Sequence, residues 1–218
     1  MSSFTQWLAR WRRRQFIVRA LKGAARSWAL RRYLERPEVR AGRVQCAVLG
    51  ENGRVVFVCH GNIMRSAYAA QVARQQYPHL AHRVADGGTH AKQGRPPQDS
   101  ALRVSRELQA PLDGHEATPM AMLALSPHDI VVCMDAMNEA NVLAAYPALA
   151  SRVFRVGDIA SAGMIGVANQ SSQQGVSHDD REVRDPYGEG DDSTRDAFAR
   201  IARLVDHWMV QAGARNAM

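Results

Sequence analysis

The sequence predicts an α/β fold: a single domain with a central four-stranded parallel sheet flanked by helices on both faces, plus an N-terminal helical extension. Three observations predict it. Short apolar, β-branched runs recur along the chain, segments with helical spacing separate them, and the first fifty residues have a composition of their own. Continuous apolar runs of four or five residues suit strands covered on both faces. Their alternation with helices implies parallel pairing through crossover connections.

Residues 1–50 hold twelve basic side chains and two acidic ones, Glu35 and Glu38. Phe4, Trp7, Leu8, Trp11, Val18, Leu21, Ala25 and Trp28 fall near helical spacing with arginines between them. This predicts a basic amphipathic helical extension, punctuated near its end by Pro37 and Gly42. Such a stripe can lie on an anionic membrane surface, pack against its own domain, or join two copies of the chain. Residues 51–218 form the second unit, with 16 basic and 19 acidic side chains. The net charge of +7 therefore belongs to the extension, and no nucleic-acid partner is expected for the domain.

The first strand is expected at Val55-Val56-Phe57-Val58, after Gly53, and a short one around Arg83-Val84, just before Gly87 and Gly88. Ile130–Met134 reads as a third strand and Val153–Val156 as a fourth. Helical patterning covers 67–76, 100–108 and 136–146. The clearest helix carries Ala197, Phe198, Ile201, Leu204, Val205 and Trp208 on one stripe, with Ser193 as its expected N-cap. Residues 157–184 are polar and rich in Ser, Gln and Gly, which predicts a long mobile loop.

Three cysteines, Cys46, Cys59 and Cys133, show no metal-ligand spacing and suit a reducing compartment where a free thiol can be a reagent. No apolar run reaches the length of a membrane span and no secretory leader is legible, so a cytoplasmic location is expected. The extension adds a means of peripheral attachment at the inner face of a membrane. Arginine supplies 26 of the 28 basic residues, a coding bias that fits a bacterial source.

Chemistry concentrates in Cys59-His60-Gly61-Asn62-Ile63-Met64-Arg65-Ser66, which follows the first strand and opens a helix. A turn of successive amides ending at a helix N-terminus forms a concave anion site. Gly61 permits close backbone approach, and Asn62 tolerates unusual backbone angles. Arg65 can grip two phosphate oxygens with its planar fork. The same positive field favours the thiolate of Cys59, and Ser66 can donate a hydrogen bond to that sulfur.

Val58 through Ser66 resembles the signature of the low-molecular-weight protein tyrosine phosphatases. The likeness extends to Gly88-Thr89-His90-Ala91 with Gly94 and Pro96-Pro97, to Val132-Cys133-Met134-Asp135 with Asn138, and to Asp185-Pro186-Tyr187-Gly188. These segments occur in the family's order over about residues 54–210, and residues 1–50 lie outside the likeness. The resemblance implies hydrolysis of phosphotyrosine through a phosphocysteine intermediate, without metal or cofactor. It makes Cys59, Arg65 and Asp185 the catalytic residues, with Asp185 as general acid and then base. His60, Gly61, Asn62, Ile63, Met64, Ser66 and Tyr187 would surround the phosphate and ring. Asp135 is expected to be a structural hydrogen-bonding residue rather than a reagent.

Three positions depart from the family pattern. Met64 stands where a second cysteine usually traps the oxidised nucleophile, Asp86 stands where many relatives have a serine bracing the loop asparagine, and a single tyrosine follows Asp185-Pro186. A carboxylate at 86 is unwelcome near phosphate, so Asp86 is expected to point away unless the likeness slips by one residue. Ile63 favours phosphotyrosine over phosphoarginine, because similar arginine phosphatases carry threonine there. A cleft between Tyr187 and the loop around Lys92 would favour a long aryl phosphate. The competing readings are an arsenate reductase of the same fold, which needs two further cysteines, and a catalytically weak phosphotyrosine-binding module. The implied partner is a tyrosine-phosphorylated protein, with a tyrosine autokinase of polysaccharide export as the example the resemblance suggests.

Overall fold

The computed structural model describes residues 32, 36, 39, 43, 47–158 and 181–213 of the 218. The helical stripe expected over residues 4–28, Cys46, and the centre of the loop expected over 157–184 lie outside them.

Four strands form one parallel sheet: β1 (Val55–Cys59), β2 (Val84–Gly88), β3 (Ile130–Cys133) and β4 (Val153–Arg155), in the order β2-β1-β3-β4. Each is wholly or almost wholly buried, which explains why the runs read as continuously apolar rather than alternating. Helices α1 (Arg65–Gln76), α2 (Asp99–Glu107), α3 (Ala136–Ala145) and α4 (Asp191–Gln211) cover both faces. Val55, Phe57 and Cys59 point to the side of α1, α2 and α4, whereas Val56, Val58, Val131 and Cys133 point to the side of α3. That division follows from the two-residue period of a strand. β2 runs five residues, further than Arg83-Val84 suggested, because pairing with β1 carries it through Asp86 to Gly88.

Alanines on α1 let it lie close to the sheet, and Tyr68 stacks on Phe198 of α4 with ring centroids 3.9 Å apart. Trp208 anchors the other end of α4: its indole meets Phe154 edge-on and donates to the Val156 carbonyl at 2.7 Å. The start of α4 differs from expectation. Gly190, at φ 90°, is the N-cap, and Ser193 lies inside the first turn with its hydroxyl donating to Glu189. Asp191 and Asp192 in that turn supply the negative charge that a helix N-terminus favours.

Among the described residues of the N-terminal segment, Ala47 and Leu49 join the core on the α1 side, and two residues further upstream also touch the domain. Val39 packs against the apolar cluster on the α3 side. Arg43 places its guanidinium 4.9 Å from the Phe154 ring centroid and donates to the Val153 carbonyl of the edge strand. Among the described residues, no helix is long and apolar enough to cross a membrane.

Candidate active site

The four strands end together, and their carboxyl edge is where ligands bind in open α/β sheets. Cys59 is the last residue of β1, and the loop from His60 to Met64 runs from it into α1. The loop's left-handed residue is Asn62, at φ 54°, and not Gly61. Its strain is held by four hydrogen bonds around a fully buried amide. Asn62 Nδ2 donates to Ser66 Oγ at 3.0 Å and to Asp86 Oδ2 at 2.8 Å, Oδ1 accepts from the Thr118 amide at 2.7 Å, and the backbone carbonyl meets His115 Nε2 at 2.8 Å.

Asp86 therefore points at the loop asparagine rather than away from it. Its charge is tolerable because Arg74 of α1 donates to Oδ1 at 2.9 Å and His115 Nδ1 lies 3.7 Å from Oδ2. The carboxylate takes over the bracing expected of a serine and adds charge to the bond. Replacing Asp86 with alanine strands the Asn62 amide, and kcat is expected to fall about tenfold, the loss of one charge-assisted hydrogen bond. Asp86→Ser should recover most of it; equal rates for alanine and wild type in steady-state assays would refute the bracing role.

Ser66 Oγ lies 3.0 Å from Cys59 Sγ, and the Asn62 amide donates to the same sulfur at 3.3 Å. Arg65 is the third group facing it. Its guanidinium is 2% exposed, donates through Nη1 to Asp135 at 2.7 Å and to the Val183 carbonyl at 2.9 Å, and pairs through Nη2 with Asp185 at 2.7 Å. Burial works against this charge, but Cys59, Asp185 and Asp135 outweigh it and hold the Arg65 pKa above its ordinary value. Asp135 also caps α3, accepting from the Asn138 amide at 2.7 Å, which gives it the structural part expected of it. Gly88 keeps the neighbouring strand close: a Cβ there would sit 2.6 Å from the His60 carbonyl and 2.9 Å from the Asn62 nitrogen.

Asp185 comes from a loop that is pinned just upstream. The Val183 amide donates to the Met134 carbonyl at 2.8 Å. Buried Arg155 pairs with Glu139 at 3.1 Å and Glu182 at 3.0 Å, while the Gly157 amide donates to the Arg181 carbonyl at 3.1 Å. Sequence reading missed this ion-pair group, as it missed Arg74 and His115. Asp185 accepts from the Tyr187 amide, and Tyr187 stands exposed beside it with Arg95 Nη2 on its hydroxyl at 3.3 Å.

A cavity of about 380 Å³ opens over Cys59 and Arg65. Of the ten residues expected at the site, eight line it; Asn62 and Ser66 lie beneath, bracing the loop and the sulfur. His90, Lys92 and Arg95 join from the segment after β2. Ile63 is buried yet reaches the cavity, so it packs and lines at once.

A model of the low molecular weight phosphotyrosine protein phosphatases matches residues 54–217. The chain belongs to this family. The probable low molecular weight protein-tyrosine-phosphatase EpsP of Ralstonia nicotianae is 26% identical over 155 residues, covering 71% of this chain and 92% of that relative. The crystal structure of the Erwinia amylovora tyrosine phosphatase amsI shares the fold at a TM-score of 0.57 and 20% identity, over 73% of this chain and 91% of that one. The arginine phosphatase YwlE of Geobacillus stearothermophilus is similar too, at a TM-score of 0.56 and 19% identity, over 76% and 97%. The fold of this phosphatase thus leaves tyrosine against arginine to the residues of the cavity.

Cysteine placement bears on redox behaviour and on the arsenate reductase reading. Cys133 is fully buried on the opposite sheet face from Cys59, and burial pushes its thiol well above the ordinary range. It is not placed to receive a disulfide from Cys59. With Met64 buried beside the loop instead of a thiol, peroxide is expected to carry Cys59 past the sulfenic acid to irreversible forms. Full recovery of activity by added thiol after peroxide treatment would count against this.

Proposed function

We propose that this phosphatase hydrolyses phosphotyrosine in two steps through a phosphocysteine intermediate on Cys59. The observation that supports it most directly is the convergence of Cys59, Arg65 and Asp185 in one cavity, with Asp185 2.7 Å from the arginine. An arriving phosphate dianion replaces Asp185 on Nη2, and Arg65 then holds two of its oxygens. On leaving Arg65 the Asp185 carboxylate takes up a proton from solvent; the Cys59 thiolate then attacks phosphorus as the bond to the phenolic oxygen breaks, and Asp185 gives that oxygen its proton. Tyrosine leaves. Asp185, now a carboxylate, takes a proton from water, the water oxygen attacks phosphorus, and the P–S bond breaks to release inorganic phosphate. The Ser66 hydroxyl at 3.0 Å stabilises the departing thiolate.

Phosphotyrosine is favoured over phosphoarginine by Ile63 and by Tyr187, which stands exposed where a phenyl ring would lie. The test is turnover of matched peptides bearing phosphotyrosine, phosphoarginine or phosphoserine. Phosphotyrosine should lead by at least tenfold in kcat/KM, and a lead for phosphoarginine would overturn the assignment.

We also propose residues 51–218 as the catalytic unit, supported from upstream by Val39 and Arg43, and a tyrosine-phosphorylated protein as partner, an autokinase of polysaccharide export being the candidate. The basic segment would hold the enzyme at an anionic membrane surface. Liposome pelleting of the full chain against one beginning at Glu38 tests that, and equal partitioning would refute it.

A further inference from the structure

The cavity over Cys59 has two unlike walls. Tyr187 and Asp185 stand on one side, and His60, His90, Lys92 and Arg95 gather on the other. All four basic or titratable side chains are exposed at the rim. The imidazoles of His60 and His90 stack with centroids 4.5 Å apart, and the His90 amide donates to the His60 carbonyl at 2.9 Å, so the two are held as a pair. Arg95 lies over the Tyr187 ring, 5.9 Å from its centroid.

Several exposed arginines elsewhere in the domain are paired. Arg103 meets Asp191, Arg106 meets Asp113, and Arg195 meets Glu107 and Asp192. Among the described residues, neither Lys92 nor Arg95 is bridged to a carboxylate, and Asp185 is the one acidic residue lining the cavity. This happens in a unit whose overall balance is acidic, with 16 basic and 19 acidic side chains over residues 51–218. Arg65 at the cavity floor already answers the phosphate. The rim charges are surplus to it, and a surplus of one sign at the mouth of a cleft draws a ligand carrying further charge of the other sign.

An extended peptide that places its tyrosine in the cavity keeps the adjacent Cα atoms about 3.8 Å away along the chain, which leaves their side chains at the rim. We infer that the enzyme selects phosphotyrosines flanked by aspartate or glutamate, read by Lys92 and Arg95 with the histidine pair beside them. The inference rests on the phosphotyrosine reading above and adds the substrate's sequence context. Exposed ion pairs are individually weak, so the preference is a matter of several contacts plus faster encounter, about five- to tenfold in kcat/KM.

The experiment compares two phosphotyrosine peptides that differ in having Glu and Asp, or Gln and Asn, on either side of the tyrosine. Both are assayed with the full chain and with Lys92→Ser, at low and high salt, and the ratio of kcat/KM values is read within each protein so that general loss of activity cancels. The acidic peptide should lead at low salt, the lead should shrink with added salt, and Lys92→Ser should lower the ratio toward one. A wild-type ratio of one, or a ratio unmoved by salt and by Lys92→Ser, overturns the inference. Failure to turn over either peptide, with p-nitrophenyl phosphate still hydrolysed, overturns the phosphotyrosine reading itself and the inference with it.

Discussion

Cys59→Ala is expected to lower turnover of aryl phosphates by about 10⁴-fold or more, because the proposed scheme forms its covalent intermediate on this sulfur and, among the described residues, no other thiol lines the cavity. The substitution removes one sulfur from a residue already buried against α1, so the fold should hold and the melting temperature shift by a few degrees at most. Arg65 and the loop remain, so inorganic phosphate should still bind. This combination separates an enzyme from a binding module. Measured kcat for p-nitrophenyl phosphate within tenfold of wild type would exclude Cys59 as nucleophile, and with it the whole scheme. If wild-type turnover were itself absent while phosphopeptide binding persisted, the binding-module reading would stand.

Asp185→Asn should cost about 10²- to 10⁴-fold in kcat for phosphotyrosine, the usual worth of a positioned general acid. The loss should be smaller for a leaving group that needs no proton, such as p-nitrophenolate in the first step. Geometry adds a second, opposite expectation. Asp185 lies 2.7 Å from Arg65 Nη2, the donor a phosphate oxygen would use, so the two compete for it. An asparagine there lacks the charge to compete, and inhibition by inorganic phosphate should tighten by several-fold. Steady-state kinetics with phosphate as inhibitor measure both effects. An unchanged kcat would remove Asp185 from the mechanism, and weaker phosphate inhibition would show that Asp185 helps hold the anion instead.

The parts of the molecule legible in sequence were those written locally. Val55–Val58, Ile130–Val132 and the stripe from Ala197 to Trp208 announce their elements by period, and the eight residues from Cys59 to Ser66 carry a loop in consecutive order. Asp185 stands out in sequence only because Asp185-Pro186-Tyr187-Gly188 resembles the family's loop and accompanies the Cys59 loop. What stayed hidden depends on register between distant segments. Asp86 reaches Asn62 because β1 and β2 pair with Phe57 opposite Asp86, a fact no spacing encodes. His115 meets the Asn62 carbonyl across 53 positions of chain, from a loop with no periodicity of its own. Arg155, Glu139 and Glu182 look like ordinary surface charges in sequence, and only packing brings them together around the buried arginine. Ser193 misled because serine is a common N-cap, whereas here a glycine with positive φ makes the turn that starts the helix.

The neck formed by Gly157, Asp158 and Arg181 has an evolutionary consequence. The Gly157 amide bonds to the Arg181 carbonyl and the Arg181 guanidinium lies 3.6 Å from Asp158, so the chain departs from β4 and returns through one fastened doorway. Asp185 follows just past that doorway, and Arg155 fastens its neighbour Glu182 from the sheet side. Loop length then costs only logarithmically, about 0.6 kcal/mol for each doubling. Changes of length between positions 158 and 181 are therefore expected to leave the fastened ends, and Asp185 beyond them, in place, which makes this stretch a natural place for the enzyme to acquire novelty.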